Sequence, residues 1–195
     1  DLAGAISAEA QRITGRRLMV DMAGADLQVA RDHGEGVLQG LERWPKASLA
    51  QVVTYGPGGV VETLPDDPQG RFDAVTIMNP RGVSIAFNNG FTADVYRRKL
   101  ARSRREGWTI AGTPAVTAMH EFGHVLAEPL LRQYPELVAA DSQTALRVSR
   151  FAAHRGRSEL AAEAVADILA NNHRASPTSQ QLVGEIQAAY DVEHR

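Results

Sequence analysis

Three residues of one short segment, the run HEFGH, could do chemistry together: His120 and His124 are suited to binding a metal, and Glu121 is suited to acting as a base. On a helix, two histidines four residues apart lie one turn apart on the same face, so both imidazoles can bind one zinc ion. Glu121 would then lie beside the metal, where a carboxylate can take a proton from water and pass it to a leaving amine. The segment therefore predicts zinc-dependent peptide hydrolysis, against the simpler alternative of two surface histidines on a helix.

The elements around this segment predict an α+β fold. Thr113 is a plausible cap and Pro114 suits a first turn, so the metal-binding helix should begin there and end near Ala127. Before it, the residue pattern predicts helices at 1–16 and 26–44, strands at 17–22, 49–55, 72–78 and 83–87, and helix from 92 to the break at 107–114. After it, we predict helices at 134–151, 158–171 and 178–193. The expected architecture is an N-terminal mixed sheet with helices (1–112), a mostly helical C-terminal half (113–195), and the active-site helix between them.

Composition limits the partners and cofactors. The 195 residues are 44% hydrophobic with a formal net charge of −2, which suits a single domain and gives no overall field that attracts nucleic acid or membranes. The sequence has no cysteine, so any metal must be held by His, Asp or Glu. No apolar run approaches the roughly 18 residues that a membrane span needs. Because the chain begins with Asp1, we expect a soluble domain excised from a larger protein, and the sequence leaves its localisation open.

The third metal ligand must come from elsewhere in the chain. A metzincin would have Gly and His where this chain has Ala127 and Leu130, and a peptide deformylase would need a cysteine ligand. A glutamate on a later helix remains, and the predicted helix 158–171 carries Glu159, Glu163 and Asp167 at four-residue steps. Such a stripe is usually a solvated face, but the intervening residues are almost all apolar. Buried carboxylates need a cation or hydrogen-bond partners, so this helix is the candidate.

Two segments of the chain, HEFGH (120–124) and SRFAAHRGRSELAAEAVAD (149–167), resemble the catalytic domain of anthrax lethal factor and its relatives. These are gluzincin peptidases, also found as domains of toxins and phage head proteins, and the resemblance covers the C-terminal part of the chain. It implies a zincin-like metallopeptidase fold, one Zn²⁺ and a protein or peptide substrate. It also implies that His120, His124 and Glu159 are the metal ligands, that Glu121 is the catalytic base, and that Glu163 supports a ligand histidine. Without the family, Glu163 followed by Asp167 fits the ligand pattern as well.

One departure from that family lies just before the second motif. Where the family has a tyrosine whose hydroxyl helps to stabilise the oxyanion, this chain has Phe151, which cannot donate a hydrogen bond. His154 is the nearest polar residue, and we name it as a catalytic candidate beside Glu121. Without a donor, the chain would be a weakly active or non-catalytic zincin-like domain used for binding or assembly. That is the alternative function.

Two further expectations concern partners. The strand 83–87 lies before the histidines where a zincin has its edge strand, which can pair with an extended substrate. A basic cluster raises the alternative of nucleic-acid binding, but no aromatic residues are interleaved with it, so we expect no nucleic acid. The cluster consists of Arg97, Arg98, Lys99, Arg102, Arg104 and Arg105.

Overall fold

The computed structural model describes residues 1–56, 72–80 and 82–195, and within them the chain is an α+β protein with a small mixed sheet. The strands are β1 (Met19–Asp21), β2 (Leu49–Tyr55), β3 (Ala74–Asn79) and β4 (Gly82–Asn88). The helices are α1 (Leu2–Thr14), α2 (Leu27–Arg43), α3 (Ala93–Arg105), α4 (Pro114–Gln133), α5 (Ser142–Leu146), α6 (Arg150–Arg155), α7 (Arg157–Asn171) and α8 (Pro177–Glu193). None of these helices is long and apolar enough to cross a membrane.

The sheet has the strand order β1-β2-β4-β3. β1, β2 and β4 run parallel, and β3 runs antiparallel to β4. The prediction that 83–87 forms the edge strand is therefore wrong, because β4 pairs on both sides. Its residues Val83–Asn88 are all buried, as expected for an interior strand. Among the described residues the edge strands are β1 and β3; β3 lies next to β4, and its residues are partly buried except Asn79, which is exposed.

The start of helix α4 is set by its capping residues, and its length is supported by the burial of its apolar residues. The Thr113 side chain accepts a hydrogen bond from the backbone N–H of Val116, and Pro114 occupies the first turn. The helix does not end near Ala127 as predicted but continues to Gln133, past Pro129. A proline inside a helix costs about 3 kcal/mol. Leu130 and Leu131, both buried in the last turn, offset that cost by packing in the core.

The predicted helix 134–151 is wrong, because residues 134–141 are not helical and the rest of the stretch holds α5 and the start of α6. Pro135 directly follows the end of α4, and Val138 adopts a positive φ of 57° that no helix continues through. Asp141 then caps the start of α5, where its side chain accepts a hydrogen bond from the backbone N–H of Thr144 at 2.7 Å. Ser149 caps the start of α6 in the same way and accepts from the backbone N–H of Ala152 at 3.0 Å. By contrast, the two later helices, α7 and α8, differ from the predicted ranges by one residue at their starts.

Small residues bring α4 close to the helices on either side of it. A Cβ on Gly40 of α2 would lie 2.4 Å from the Phe122 ring. A Cβ on Gly123 would lie 2.7 Å from Cα of Ala162 in α7. Gly123 lies between the two histidines of the HEFGH segment, so this close crossing sets the distance between them and the acidic residues of α7. The largest hydrophobic cluster spans both halves of the chain, from Ala10 to Tyr190.

Candidate metal centre

Three side chains from two helices converge at one point. His120 and His124 come from successive turns of α4, and Glu159 comes from the first turn of α7. Oε2 of Glu159 lies 3.1 Å from Nε2 of His120 and 3.3 Å from Nε2 of His124. The ligand atoms of the three residues all lie within 4.8 Å of one another, so the group can hold a metal ion. The structure thus brings together the three predicted ligands.

The geometry of Glu159 fits a cation better than a hydrogen bond. Its Oε2 is buried and has no hydrogen-bond partner in the part of the chain that the structure describes, although two ring nitrogens lie within 3.3 Å. A buried carboxylate oxygen left without a donor is costly, and a shared cation removes that cost. Two imidazole nitrogens and one carboxylate are the ligands of catalytic zinc sites that keep a position open for water or substrate. The donor set therefore fits Zn²⁺.

Glu163 lies behind His120, one helical turn after Glu159. Its Oε1 is 2.8 Å from Nδ1 of His120, and its Oε2 accepts a hydrogen bond from the backbone N–H of Ile110 at 2.8 Å. The Thr109 hydroxyl donates to Oε1 at 3.2 Å, and the residue is fully buried. Because a carboxylate only accepts, Nδ1 of His120 carries the proton when metal is bound, which leaves the Nε2 lone pair facing Glu159.

Asp167, the third carboxylate of the α7 stripe, has a structural role. Its side chain accepts hydrogen bonds from Asn171 Nδ2 at 2.7 Å and from the backbone N–H of Ser176 at 2.9 Å. Those bonds tie the end of α7 to the start of α8. The pairing of Glu163 as ligand with Asp167 as support, which the sequence left open, is therefore not the arrangement found.

His124 has its own polar partners. Its Nδ1 lies 3.0 Å from Oγ of Ser158, and Ser158 in turn contacts a carboxylate oxygen of Glu128. Sequence reasoning missed both residues. Two signals point to them: Glu128 follows His124 by one helical turn, and Ser158 directly precedes the ligand Glu159.

Protons and a metal compete for the ligand nitrogens. Burial lowers the pKa of His124, but contacts with Glu128 and Glu159 outweigh it and raise that pKa to about 9. Burial also lowers the pKa of His120, but Glu159 and Glu163 raise it well above its ordinary value. Burial alone would raise the pKa of Glu159, yet the two imidazoles hold it well below its usual range. A metal ion must therefore displace protons from this site.

Glu121 is buried next to His120 and is held by the edge strand. The Thr76 hydroxyl of β3 donates to Oε2 of Glu121 at 2.6 Å and lies 3.0 Å from the main-chain oxygen of the same residue. A hydroxyl has one proton, so the shorter contact, to Oε2, is the hydrogen bond, and within the described ranges no hydrogen bond reaches Oε1. Thr76 carries no sequence signal of its own, because its role depends on how β3 lies against α4.

A cavity of about 870 Å³ surrounds this group. It opens between β3 and the helices α3, α4, α6 and α7, and its wall includes Glu121, the three candidate ligands and several apolar side chains. Trp108, Phe72, Met78, Leu100 and Phe151 form that apolar part. The combination of a mostly apolar concave surface with a few convergent polar groups is typical of a ligand site.

The structure does not bring His154 to the cavity. His154 is exposed in the last turn of α6, with its ring 6.0 Å from that of Trp108, and it is absent from the cavity wall among the described residues. The expected catalytic role of His154 therefore has no support in its position. Phe151 does line the cavity, with its ring 6.2 Å from that of His120. Arg155, also on the wall, holds its guanidinium 5.7 Å from the Phe151 ring centroid.

Three of the six residues of the basic cluster on α3 pair with acidic side chains. Arg97 contacts Asp32 at 2.9 Å, Lys99 contacts Asp73, and Arg102 contacts Glu106 at 2.9 Å. These pairs favour a solvated, charge-balanced helix face over a nucleic-acid surface.

Comparison of the chain with protein-family models, with curated proteins and with solved structures gives no match. The resemblance to the lethal factor catalytic domain therefore rests on the two sequence segments that carry it.

Proposed function

We propose that this chain is a zinc metalloendopeptidase of the gluzincin type, with a zincin-like fold and a protein or peptide substrate. One observation carries the proposal: His120, His124 and Glu159 converge in a cavity whose wall also holds the carboxylate of Glu121. A carboxylate beside a possible metal position supports hydrolysis of a peptide bond. The resemblance to lethal factor and its relatives supports the same class and makes a toxin or a phage particle the expected context.

The residues divide the chemistry between them. Zinc, when bound by His120, His124 and Glu159, supplies a Lewis acid that polarises the scissile carbonyl and makes water more acidic. Glu121 takes a proton from the attacking water through Oε1 and then donates it to the leaving amine. Thr76 keeps the other carboxylate oxygen occupied, so Glu121 presents one defined oxygen to the water.

The edge strand β3 is the proposed docking strand for the substrate. Ala74, Val75, Thr76 and Met78 of this strand line the cavity. Among the described residues β3 pairs only with β4, and a strand at the end of a sheet is suited to pair with an extended peptide. This replaces strand 83–87 as the docking element and keeps the predicted mode of binding.

A weakly active or non-catalytic metal-binding domain is the second candidate function. Phe151 favours it, since this side chain lines the cavity beside His120 but has no hydroxyl to donate to a developing oxyanion. The two candidates share the metal and differ in turnover.

The test loads the purified chain with Zn²⁺ and measures metal content and hydrolysis of casein, with Glu121→Gln as the matched variant. We expect one zinc per chain in both proteins, and hydrolysis only in the wild type, because Glu121 is a base and not a ligand. Zinc binding without any hydrolysis above the Glu121→Gln level would establish the second candidate. A wild-type chain that binds no zinc would contradict both.

A further inference from the structure

The two ligand histidines are supported in different ways. His120 contacts the carboxylate of Glu163 directly, at 2.8 Å from Nδ1. The nearest carboxylate oxygen to Nδ1 of His124 belongs to Glu128 and lies 3.8 Å away, too far for a hydrogen bond. The hydroxyl of Ser158 fills that gap, since it lies 3.0 Å from Nδ1 and also contacts Oε1 of Glu128.

The single proton of the Ser158 hydroxyl fixes the direction of both hydrogen bonds, to Glu128 and from His124. The Glu128 carboxylate can only accept, so the Ser158 hydroxyl donates its single proton to Oε1 of Glu128. Ser158 must then accept from His124, which makes Nδ1 of His124 the protonated nitrogen. The other nitrogen, Nε2, is left with its lone pair directed at the point where Glu159 and His120 also meet.

We propose that Ser158 and Glu128 form a relay that orients His124 and increases its basicity for the metal. The inference rests on the proposed metal site and names two positioning residues for it. A histidine ligand usually donates its second ring N–H to a carboxylate or a carbonyl, which fixes the ring and strengthens the metal bond. Here the serine hydroxyl transmits the negative charge of Glu128 to His124.

The start of α7 explains why a serine takes this position. Gly156, with a φ of 91°, lets the chain turn sharply between α6 and α7. The Arg157 guanidinium donates to the carbonyl of Leu131 at 3.0 Å and also contacts the carbonyl of Pro135, which fixes the start of α7 to the end of α4. Ser158 and Glu159 therefore reach His124 and the metal position from adjacent residues of one anchored turn.

The test measures the Zn²⁺ dissociation constant of the full chain by competition with a chromophoric chelator. We expect Ser158→Ala to weaken zinc binding by roughly 10–100-fold, the range for loss of a group that orients a metal ligand. Glu128→Gln should weaken it by a smaller factor, because an amide still accepts from the serine. The double variant should bind no more weakly than Ser158→Ala alone, because both changes interrupt one chain of hydrogen bonds.

Matched variants separate this role from general damage to the fold. Ser103→Ala removes another cavity serine, and Glu136→Gln removes an exposed carboxylate, so both should bind zinc like the wild type. Ser158→Thr keeps a hydroxyl and should stay within a few-fold of the wild-type affinity. Wild-type affinity in Ser158→Ala, or full additivity in the double variant, would overturn the relay while leaving the metallopeptidase proposal intact. Failure of the wild type itself to bind zinc would overturn both.

Discussion

Glu163 and Glu159 lie one helical turn apart on α7, yet only Glu159 reaches the point where the two histidines meet. Glu163 Oε1 lies 2.8 Å from Nδ1 of His120, whereas Glu159 Oε2 lies 3.1 Å from Nε2 of the same ring. One imidazole is thus held between two carboxylates, one on the side of the metal position and one behind it. The two glutamates should therefore respond differently to the same substitution.

Replacing each glutamate by glutamine tests this assignment. Glu159→Gln should lose stoichiometric zinc binding, since it removes the only charged ligand of the group. Glu163→Gln should keep zinc but bind it roughly 10–100-fold more weakly, because it removes the negative charge behind His120 and leaves one acceptor oxygen where donors reach both carboxylate oxygens. Asp167→Asn is the matched control, since its partners lie at the end of α7, and its zinc affinity should equal that of the wild type. Zinc titrations that show the reverse order would make Glu163 the ligand.

The sequence predicted which candidate ligands come together better than it predicted their supporting contacts. His120 and His124 could be paired because a spacing of four residues places side chains on one face of a helix, whereas the resemblance favoured Glu159 over Glu163. The role of Thr76 could not be predicted, because its contact with Glu121 depends on the strand order of the sheet. That order is set by pairing between strands that are far apart in the sequence. The edge strand was misassigned for the same reason. His154 was expected in a loop between the predicted helices 134–151 and 158–171, but it lies exposed in the last turn of α6, a helix that the sequence pattern did not predict.

Thr76→Val tests whether the edge strand positions the base. The two side chains have the same shape, but valine has no hydroxyl to hold Oε2 of Glu121. We expect kcat for casein or a peptide substrate to fall by about tenfold, because the carboxylate loses its defined orientation. KM and zinc content should not change. Thr76→Ser retains the hydroxyl and should recover most of kcat, and an unaltered kcat in Thr76→Val would contradict the role.

Gly123→Ala tests the close crossing of α4 and α7. The added Cβ would lie 2.7 Å from Cα and 2.9 Å from the carbonyl oxygen of Ala162, both backbone atoms that cannot move independently of α7. We expect a loss of about 1–3 kcal/mol in the free energy of unfolding, together with weaker zinc binding as the ligands separate. Gly184→Ala is the matched control within α8, where an added Cβ meets nothing within 4 Å. That substitution should stabilise the protein by about 0.5–1 kcal/mol in urea unfolding.

Phe151→Tyr tests whether the cavity lacks an oxyanion donor. The Phe151 ring already lines the cavity beside His120, so a tyrosine there would add a hydroxyl at the wall without changing the fold. A well-positioned donor contributes on the order of 10²–10³ in rate, so even imperfect geometry should raise kcat by about tenfold. His154→Ala should leave kcat unchanged, since His154 is exposed outside the cavity. A Phe151→Tyr variant no faster than the wild type would mean that another group already donates.

The last prediction concerns His33 and does not depend on the metal. His33 is buried in α2, stacked on Phe87 at 3.9 Å between ring centroids, with the Tyr96 ring at 5.8 Å. Neither of its ring nitrogens has a hydrogen-bond partner among the described residues. Burial lowers the pKa of His33 from 6.5 to about 3, against a small opposing effect of Asp32. The folded protein therefore keeps this imidazole neutral.

The free energy of unfolding should decrease as the pH is lowered, because His33 binds a proton in the unfolded chain but stays neutral in the folded chain. Below pH 6.5 the unfolded state gains protonated His33, so the free energy of unfolding decreases until the pH reaches about 3. Between pH 7 and pH 5 this one residue should cost about 2 kcal/mol. Leucine is similar in volume to histidine and does not titrate. Between pH 7 and pH 5 the free energy of unfolding of His33→Leu should therefore decrease by about 2 kcal/mol less than that of the wild type. Urea unfolding of both metal-free proteins at the two pH values gives the comparison, and equal losses would show that His33 takes up its proton in the folded state.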